Sequence, residues 1–464
     1  MRNIIASLIA ALLFCSFAFA QNPGSYHLVP QYLVRGHTAM DLGGGFSVFM
    51  FDRNFAYDSS RVELHWPDPG LNVLGALSYR GHPPLSFINH AAMLDDGFLV
   101  GGGSYGFSSY ATLAMRSLTG TPVWYHGFST LTGSHSQIIK LLPRGTSFSA
   151  YTYPGGTYSS NLYRLEGNSS GTTYMGIDMT AAASFRVFDA LALTDPLAHL
   201  VVGSGFAVAL PGDYQALLML TTLTGAQWMN LYNLGAGSLE DLVAVRPLGD
   251  GNFLCAGYAS FGGANLEGVL MKVDPNGLPI WCRKYADFSG SVLLTDAYQL
   301  GSGDLLVAGV FGNIQGLLYR LDNTGYPIAT YIMPTDRLSK FHDTGTGLRV
   351  SGTNTEIDLD ANGNGCGFTT IPISNVNVTA LTPPVTSIPV TNAMVTITPS
   401  DFTAYARTPE LSWAQDCVLN GIEEEAGEAS LAAFPVPTNG PVALQGIERL
   451  QSEPYRILSA TGRV

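Results

Sequence analysis

"GDGNFLCAG" (249–257) decides the fold, because the chain writes it more than once. "DDGFLVGGG" (95–103) and "GSGDLLVAG" (301–309) share its form: a turn glycine, an apolar run, and a second glycine six residues on. The pairs are Gly97/Gly103, Gly251/Gly257 and Gly303/Gly309. Weaker copies are "LGGGFSVFM" (42–50), "LPRGTSFSAY" (142–151), "LAHLVVG" (197–203) and "GTGLRVSG" (345–352). The turn positions fall at 45, 97, 145, about 197, 251, 303 and 347, so seven copies recur at steps of 44 to 54 residues. Self-similarity at such a period marks a repeat architecture.

Each copy carries further marks. An alternating strand closes on a tight turn in "MKVDPNG" (271–277), "LYRLDNTG" (318–325), "NLYRLEGNSSG" (161–171) and "AMRSLTG" (114–120). A last strand follows, with Trp124, Trp228 or Trp281 in three copies. Upstream of the turn glycine lies one more apolar strand, such as "DLVAVRPL" (241–248). Period-two alternation bounded by Gly, Asp, Asn and Pro reads as strands joined by hairpins. Four short strands per unit make a propeller blade. One blade cannot bury both faces, so blades must stack, and closing the circle removes exposed edges. The expected fold is therefore all-β, a seven-bladed β-propeller over about residues 25–370. A β-solenoid is the competitor, but its repeats are usually shorter.

Composition agrees with a turn-rich β protein. Only 12% of residues are charged, against 46% hydrophobic and 53 glycines, too apolar for disorder. The net charge of −13, with no Lys/Arg cluster, argues against nucleic acid or an anionic membrane as partner.

Both ends differ from the repeats. Arg2, the apolar run Ile4 to Phe19 and Ala18-Phe19-Ala20 before Gln21 form a signal peptide over residues 1–20, cleaved near Ala20. The run is too short for a stable transmembrane span, and no later run is long and apolar enough. Phe14 before Cys15 stands where a lipoprotein signal has a small residue. Export leaves Cys255, Cys282, Cys366 and Cys417 in an oxidising compartment. Cys255 and Cys282 fall on the second and fourth strands of one blade, about 9–10 Å apart. A disulfide needs Cα atoms within about 7 Å, so these two are expected not to bond. Cys366 and Cys417 are the expected bridge, tying the following segment to the repeats.

"IDLDANGNGCG" (357–367) resembles the first half of a calcium loop, with Asp358, Asp360 and Asn362 at alternate positions before Gly363. Aligned with "MKVDPNGLP" and "YRLDNTGYP", Asp360 falls on Asp274 and Asp322, and Gly363 on Gly277 and Gly325. Position 12 of the supposed loop is Thr369, where a bidentate Glu belongs. The stretch reads as the hairpin turn shared by several copies, in which Asp bonds its own backbone and Gly takes positive φ. No metal site is assigned.

No catalytic or cofactor-binding residue is assigned either. "GGSYG" (102–106) matches G-x-S-x-G around Ser104, but a nucleophile elbow needs a strand-to-helix turn. Six histidines, His27, His37, His65, His82, His90 and His126, fall before residue 130 without ligand spacing. Asp41, Asp95, Asp96, Asp296 and Asp304 could be gathered at a channel mouth, but nothing in their spacing selects a pair.

From about 371 the texture changes to "IPISNVNVTALTPPVTSIPVTNAMVTITPS" (371–400), and "GIEEEAGEAS" (421–430) is an acidic hinge. Residues 371–430 read as a short β-rich linker, partly edge strands packing on the propeller. Phe434-Pro435-Val436-Pro437-Thr438-Asn439-Gly440, then Tyr455-Arg456-Ile457 with Ser459, then Gly462-Arg463-Val464 close the chain. This end, residues 431–464, resembles the type A C-terminal sorting domain of type IX secretion cargo in the Bacteroidota. The family opens on aromatic-Pro-Asn-Pro-x-x-Gly and carries a Y-x-I-x-D-x-x-G-R strand. Val436 stands where the family has Asn, and the chain stops where the family continues through two or three more strands. The resemblance implies an incomplete β-sandwich-like domain and, as partner, the type IX secretion machinery. "VDPNGLPIW" (273–281) and "GTPVW" (120–124) resemble the Gly-x-x-x-Trp docking motif of quinoprotein propellers, in which the tryptophans join neighbouring blades. The propeller as a whole resembles the delta-60-like and kelch-like repeats of secreted proteins, a likeness that assigns no activity.

The expected function is a secreted or outer-membrane cell-surface binding or adhesion module without chemistry of its own, for an extracellular glycan or protein. The alternative is a secreted hydrolase or lyase acting on polysaccharide at the channel mouth.

Overall fold

The computed structural model describes side chains from His90 to Asp401, apart from residues 104–109, 118–120, 129–136, 153–157, 208–212, 236–238, 287–289, 334–336, 344–346 and 353–354 and residues 173, 264 and 313. It describes the backbone of strands between 24 and 89 and between 403 and 418, and of 432–433 and 444–445. The chain divides into Met1–Leu419 and Asn420–Val464. In the second part, Ala432–Ala433 pairs with Leu444–Gln445. The sorting-domain residues 434–440 and 455–464, and the signal-peptide residues 1–20, lie outside the described residues.

The regular structure described is β, with one short 3-10 turn at Ile373–Asn375. Strands fall into antiparallel units of four consecutive members. The first unit is His37–Asp41, Ser47–Phe55, Ser59–Pro67 and Val73–His82, and the second Leu85–Leu94, Gly97–Ser104, Ala111–Ser117 and Pro122–Phe128. The third is Gln137–Arg144, Ser147–Tyr153, Ser159–Asn168 and the first half of Met175–Ala192. The fourth takes the second half of that strand with His199–Ala207, Gln215–Thr222 and Gly225–Tyr232. Glu240–Pro247, Phe253–Ala259, Glu267–Val273 and Pro279–Asp287 form the fifth, and Val292–Gln299, Leu305–Phe311, Gln315–Leu321 and Pro327–Met333 the sixth. Units two to four share one sheet, joined by the pair Gln137–Gly103 and by the long strand Met175–Ala192. The seventh unit has only three local strands, Leu338–Asp343, Leu348–Gly352 and Thr355–Leu359. Its fourth is the N-terminal strand Gly24–Val29, paired as Ser25 with Ile357, Tyr26 with Glu356 and His27 with Thr355. First-to-second-strand hairpins lie at the seven turn positions read from the sequence.

The second repeat glycine has a mechanical cause. Each first strand of units two to seven carries a β-bulge, as between Leu242 and Ala244 or Leu294 and Asp296. The bulge pushes a backbone carbonyl of the first strand into the space a Cβ would occupy on the second. A Cβ on Gly257 would lie 1.8 Å from the Asp241 oxygen, and one on Gly203 1.9 Å from that of Arg186.

Units three to six bury both faces against their neighbours. In unit five, Leu254, Ala256 and Leu270 pack with Val292, Leu294 and Val307 of unit six. Cys255, Val269 and Met271 of the same strands face Leu200, Val202 and Leu218 of unit four. Equivalent layers join units two and three, three and four, and six and seven. The first strands touch in succession through units one to seven, and that of unit seven touches that of unit one.

The Asp-Gly turns and the tryptophans lock these layers together. The Trp228 ring lies where a Cβ on Gly277 of the next unit would fall, and Tyr232 Oη donates to the Gly277 carbonyl. One unit on, Trp281 and Gly325 meet in the same way, with Tyr285 Oη 2.7 Å from the Gly325 carbonyl. Arg283 also lies 4.0 Å from the Tyr326 ring centre. Tyr285→Phe strips a buried carbonyl of its donor, so a loss of about 1–2 kcal/mol is expected in denaturant unfolding.

Residues 369–418 run round the outer edges of the units in reverse order. Thr369–Thr370 adds a fifth strand to unit six, Val376–Leu381 to unit five, Val385–Ser387 to unit four and Val390–Thr396 to unit three. Ser400–Asp401 then pairs with unit two, Thr403–Arg407 with unit one, and Ser412–Val418 with the N-terminal strand in unit seven. This explains the texture of 371–400. Val and Thr are strand formers, while Ile388 and Val390, like Val376 and Val378, pack on the layers between units. Each covered edge is one less template for aggregation. Cys366 is disulfide-bonded, and the side chain of Cys417, its expected partner, lies outside the described residues. Cys255 and Cys282 are buried free thiols separated by Met271, and burial pushes the Cys282 thiol up to about 12.

Candidate binding site

The residues with metal or catalytic character in the sequence are engaged in local structure. Asp360 Oδ1 accepts the backbone N–H groups of Asn362 and Asn364, both at 2.8 Å, and Gly363 sits at φ 83°. Asp274 and Asp322 hold their turns in the same way. Asp358 is bound to Arg349 on the neighbouring strand at 2.6 Å. Asn362 gives its backbone N–H to the turn and its carbonyl to Arg320. Ser104 ends the strand Gly97–Ser104.

Two further carboxylates are spoken for as well: Asp304 binds Arg320 at 2.7 Å, and Asp96 accepts from Ser169 at 2.6 Å. The backbone N–H of Asp95 donates to the Gly145 carbonyl. His126 lies between Asp401, at 3.1 Å, and the Tyr174 hydroxyl, at 2.7 Å, with Trp124 stacked on it. The side chains of His27, His37, Asp41, His65 and His82 lie outside the described residues.

His90 and Asp296, by contrast, lie on the first strands of units two and six, and these first strands, which touch from unit to unit, are the inner strands. The residue after each bulge is His90, Lys140, Asp189, Ala244, Asp296 and Lys340 in units two to seven. Lys140 meets Asp189 at 2.7 Å and Arg246 meets Asp296 at 2.6 Å, each pair bridging consecutive units. Each carboxylate also accepts a backbone N–H from the next unit, Val245 for Asp189 and Phe341 for Asp296. Burial raises the Asp189 pKa, but Lys140, then Lys340 and Arg246, overcome it and hold the group well below the usual range. Burial brings the Lys140 amine down to about 8. A glycosidase needs a carboxylic acid with a raised pKa. Asp189 is held the opposite way, and Asp296 is tied to a guanidinium and an amide.

A different constellation lies where second strands end and third strands begin, opposite the Asp-Gly turns. Tyr158 precedes the third strand of unit three, Phe206 ends the second strand of unit four, and Tyr214 precedes its third. The rings form a cluster. Tyr158 and Tyr214 lie 4.8 Å apart, Phe206 and Tyr214 5.2 Å apart, and Phe206 meets Tyr158 edge-on at 5.6 Å. All three are half-buried.

Arg186 enters this cluster from the first strand of unit four. Its guanidinium lies 5.1 Å from the Tyr158 ring centre and 4.7 Å from that of Phe188. It donates to Ser204 Oγ at 3.2 Å and to the buried Asp241 of unit five at 2.5 Å. Burial lowers the Arg186 pKa, but Asp241 outweighs it and raises the value above the ordinary range. Tyr258 beside Asp241 is raised first by burial and then by that carboxylate, so its hydroxyl stays protonated. The arrangement offers fixed ring faces, a guanidinium held flat by two aromatics, and hydroxyl donors. Such sets recur at recognition surfaces because rings bring contact area at low entropic cost. Sequence reading missed it, since Tyr158, Arg186, Phe206, Tyr214 and Asp241 share no motif and meet only because consecutive units stack.

No family model matches this chain, and no curated protein does. Among solved structures it is similar to the C-terminal domain of PilY1 from Pseudomonas aeruginosa, at 13% identity and a TM-score of 0.33, over 71% of this chain and 85% of that one. Among the described residues no helix is long and apolar enough to cross a membrane.

Proposed function

We propose that the chain is a secreted or cell-surface seven-bladed β-propeller that binds an extracellular glycan without transforming it. The unit count, the succession of touching first strands and the strands between 369 and 418 that pair with every unit support the propeller reading. The half-buried cluster of Tyr158, Phe206 and Tyr214 against Arg186 carries the binding reading. Sugar C–H faces stack on tyrosine rings, while their hydroxyls take hydrogen bonds from guanidinium and phenol groups. Among the described residues, Asp96, Asp189, Asp296, Asp304, Asp358 and Asp360 are held in hydrogen bonds, ion pairs and turns, which favours binding over cleavage.

Export is part of the same proposal. The signal peptide over residues 1–20 and the sorting-domain resemblance over 431–464 support delivery across both membranes by type IX secretion. N-terminal sequencing of the exported protein should then begin at Gln21.

The binding claim is tested on a glycan array followed by titration of the best ligand. Wild type is expected to bind, and Tyr214→Ala to lose affinity at least about ten-fold, an aromatic contact being worth roughly 1–3 kcal/mol. The Tyr214→Ala melting temperature should stay close to wild type. Absence of glycan binding by wild type, or undiminished affinity in Tyr214→Ala, would overturn the assignment.

A further inference from the structure

Arg186 is the cation of the aromatic cluster, and its charge is already matched inside the protein. Its Nη2 donates at 2.5 Å to Oδ2 of Asp241, a fully buried carboxylate on the first strand of unit five. Its Nε donates to Ser204 Oγ at 3.2 Å, and the Tyr158 and Phe188 rings lie against the guanidinium. Nη1 is the donor that remains for a ligand.

No second cation stands ready to receive an acidic group. The connections that lead into Tyr158, Tyr214 and the strand of Asp241, and out of the strand of Tyr258, are 153–158, 208–214, 233–239 and 260–266. Their sequence contains no Lys, Arg or His and one carboxylate, Asp213. Lys284, on the fourth strand of unit five, is held by Glu267 at 2.8 Å. Glu240, beside Asp241, adds a further carboxylate and accepts the Leu234 amide at 2.8 Å.

A uronic acid, a sialic acid or a sulfate ester brought to Nη1 would lose its water beside Asp241, with one guanidinium shared between two anions. Desolvating a charge that gains no partner of its own is costly, and like charges set side by side add to the cost. The net charge of −13 works in the same direction. An uncharged sugar meets neither cost, since a hydroxyl accepts from Nη1 while a C–H face lies on a ring.

We propose, building on the glycan-binding reading of this cluster, that the site takes uncharged sugars and turns acidic ones away, and that Asp241 sets this preference through Arg186. Asp241 is a positioning residue. Being fully buried it touches no ligand, and it acts by neutralising and orienting the guanidinium that does.

The test uses the full chain and matched oligosaccharides of one backbone, either uncharged or carrying a C6 carboxylate or a 6-sulfate. Wild type is expected to bind the uncharged member at least about ten-fold more tightly than either acidic one. In Asp241→Asn the competing charge is gone while an amide oxygen still accepts from Arg186, so the ratio of acidic to uncharged affinity should rise at least about ten-fold. A merely structural role for Asp241 would weaken all the ligands together and leave that ratio where it was, and this result would overturn the assignment to Asp241. Acidic members binding wild type as tightly as the uncharged one would overturn the preference itself, with no variant needed and glycan binding left standing. Binding of none of them by wild type would overturn the glycan reading, and this inference with it.

Discussion

Gly257→Ala is expected to cost the protein about 3 kcal/mol or more, although it adds a single methyl group to a strand. The new Cβ would fall 1.8 Å from the carbonyl oxygen of Asp241 and 2.8 Å from its carbon, and both are backbone atoms that no rotamer change can move. Overpacking of this kind is relieved only by shifting backbone. Here that means undoing the bulge between Leu242 and Ala244. With the bulge goes the placement of Asp241 against Arg186, and of the Val245 amide against Asp189. Gly301→Ala is the control, since its Cβ would meet nothing within 4 Å, and a change within about 0.5 kcal/mol is expected. Denaturant unfolding of the two variants measures the difference. Equal effects would show that the bulge does not govern the second glycine.

Acidification should destabilise the protein well above the range in which carboxylates titrate. His199 is fully buried, its Nδ1 2.8 Å from the Tyr151 hydroxyl and its Nε2 3.0 Å from the Pro196 carbonyl. Tyr151 Oη in turn lies 2.6 Å from Thr221. The ring therefore donates through Nε2 and accepts at Nδ1, which fixes a neutral tautomer. Burial, then the Arg164 guanidinium, bring its pKa down to about 3 from 6.5. Between those values the unfolded chain binds a proton that the folded chain refuses, so stability falls as pH falls through 6.5. The slope is about 1.4 kcal/mol per pH unit, so roughly 2 kcal/mol should be gone by pH 5 from His199. His90 is lowered for the same leading reason and acts in the same direction. Asp189, depressed below its ordinary 3.8, contributes stability that is lost only at still lower pH. Unfolding free energies from pH 7 to pH 5 should show this loss, reduced by about one proton's worth in His199→Gln. An identical slope in the variant would refute the assignment.

Much of this fold was legible in the sequence, for a physical reason. The turn glycines and Asp-x-x-Gly hairpins are set by local backbone geometry, so they survive in the sequence wherever a hairpin must close. Gly251, Gly277, Gly303, Gly325 and Gly363 all take positive φ at the positions the repeat marks. The short apolar runs between these turns were equally readable, because strands buried on both faces, such as Ala111–Ser117 and Leu305–Phe311, need apolar residues at almost every position.

What escaped was long-range pairing. Nothing in "GSYHLV" (24–29) announces that it completes the seventh unit, because its partners lie more than three hundred residues away. Residues 371–400 read in part as linker because edge strands such as "VNVTAL" (376–381) have few partners of their own to imprint a pattern. The charges on the inner strands were invisible for a third reason. The bulge fixes where a side chain points but not which residue stands there, so His, Lys, Asp and Ala all occupy the same position.

The candidate site was less legible still. Tyr158, Arg186 and Asp241 come from three consecutive units, and only stacking brings them together.

Closure of the seven units into a circle is the claim on which the rest depends, and the N-terminal strand is where it can be tested. Tyr26 faces Glu356 and His27 faces Thr355 in adjacent register pairs. In an antiparallel ladder one of two such pairs is non-hydrogen-bonded, with Cα atoms about 4.5 Å apart, close enough for a disulfide. The double variants Tyr26→Cys/Glu356→Cys and His27→Cys/Thr355→Cys, oxidised in dilute solution, give the direct measurement. At least one should form an intramolecular disulfide in near-quantitative yield, seen by peptide mass mapping, and should melt at a higher temperature than its reduced form. Only intermolecular disulfides, or free thiols in both variants, would mean that the units form an open stack.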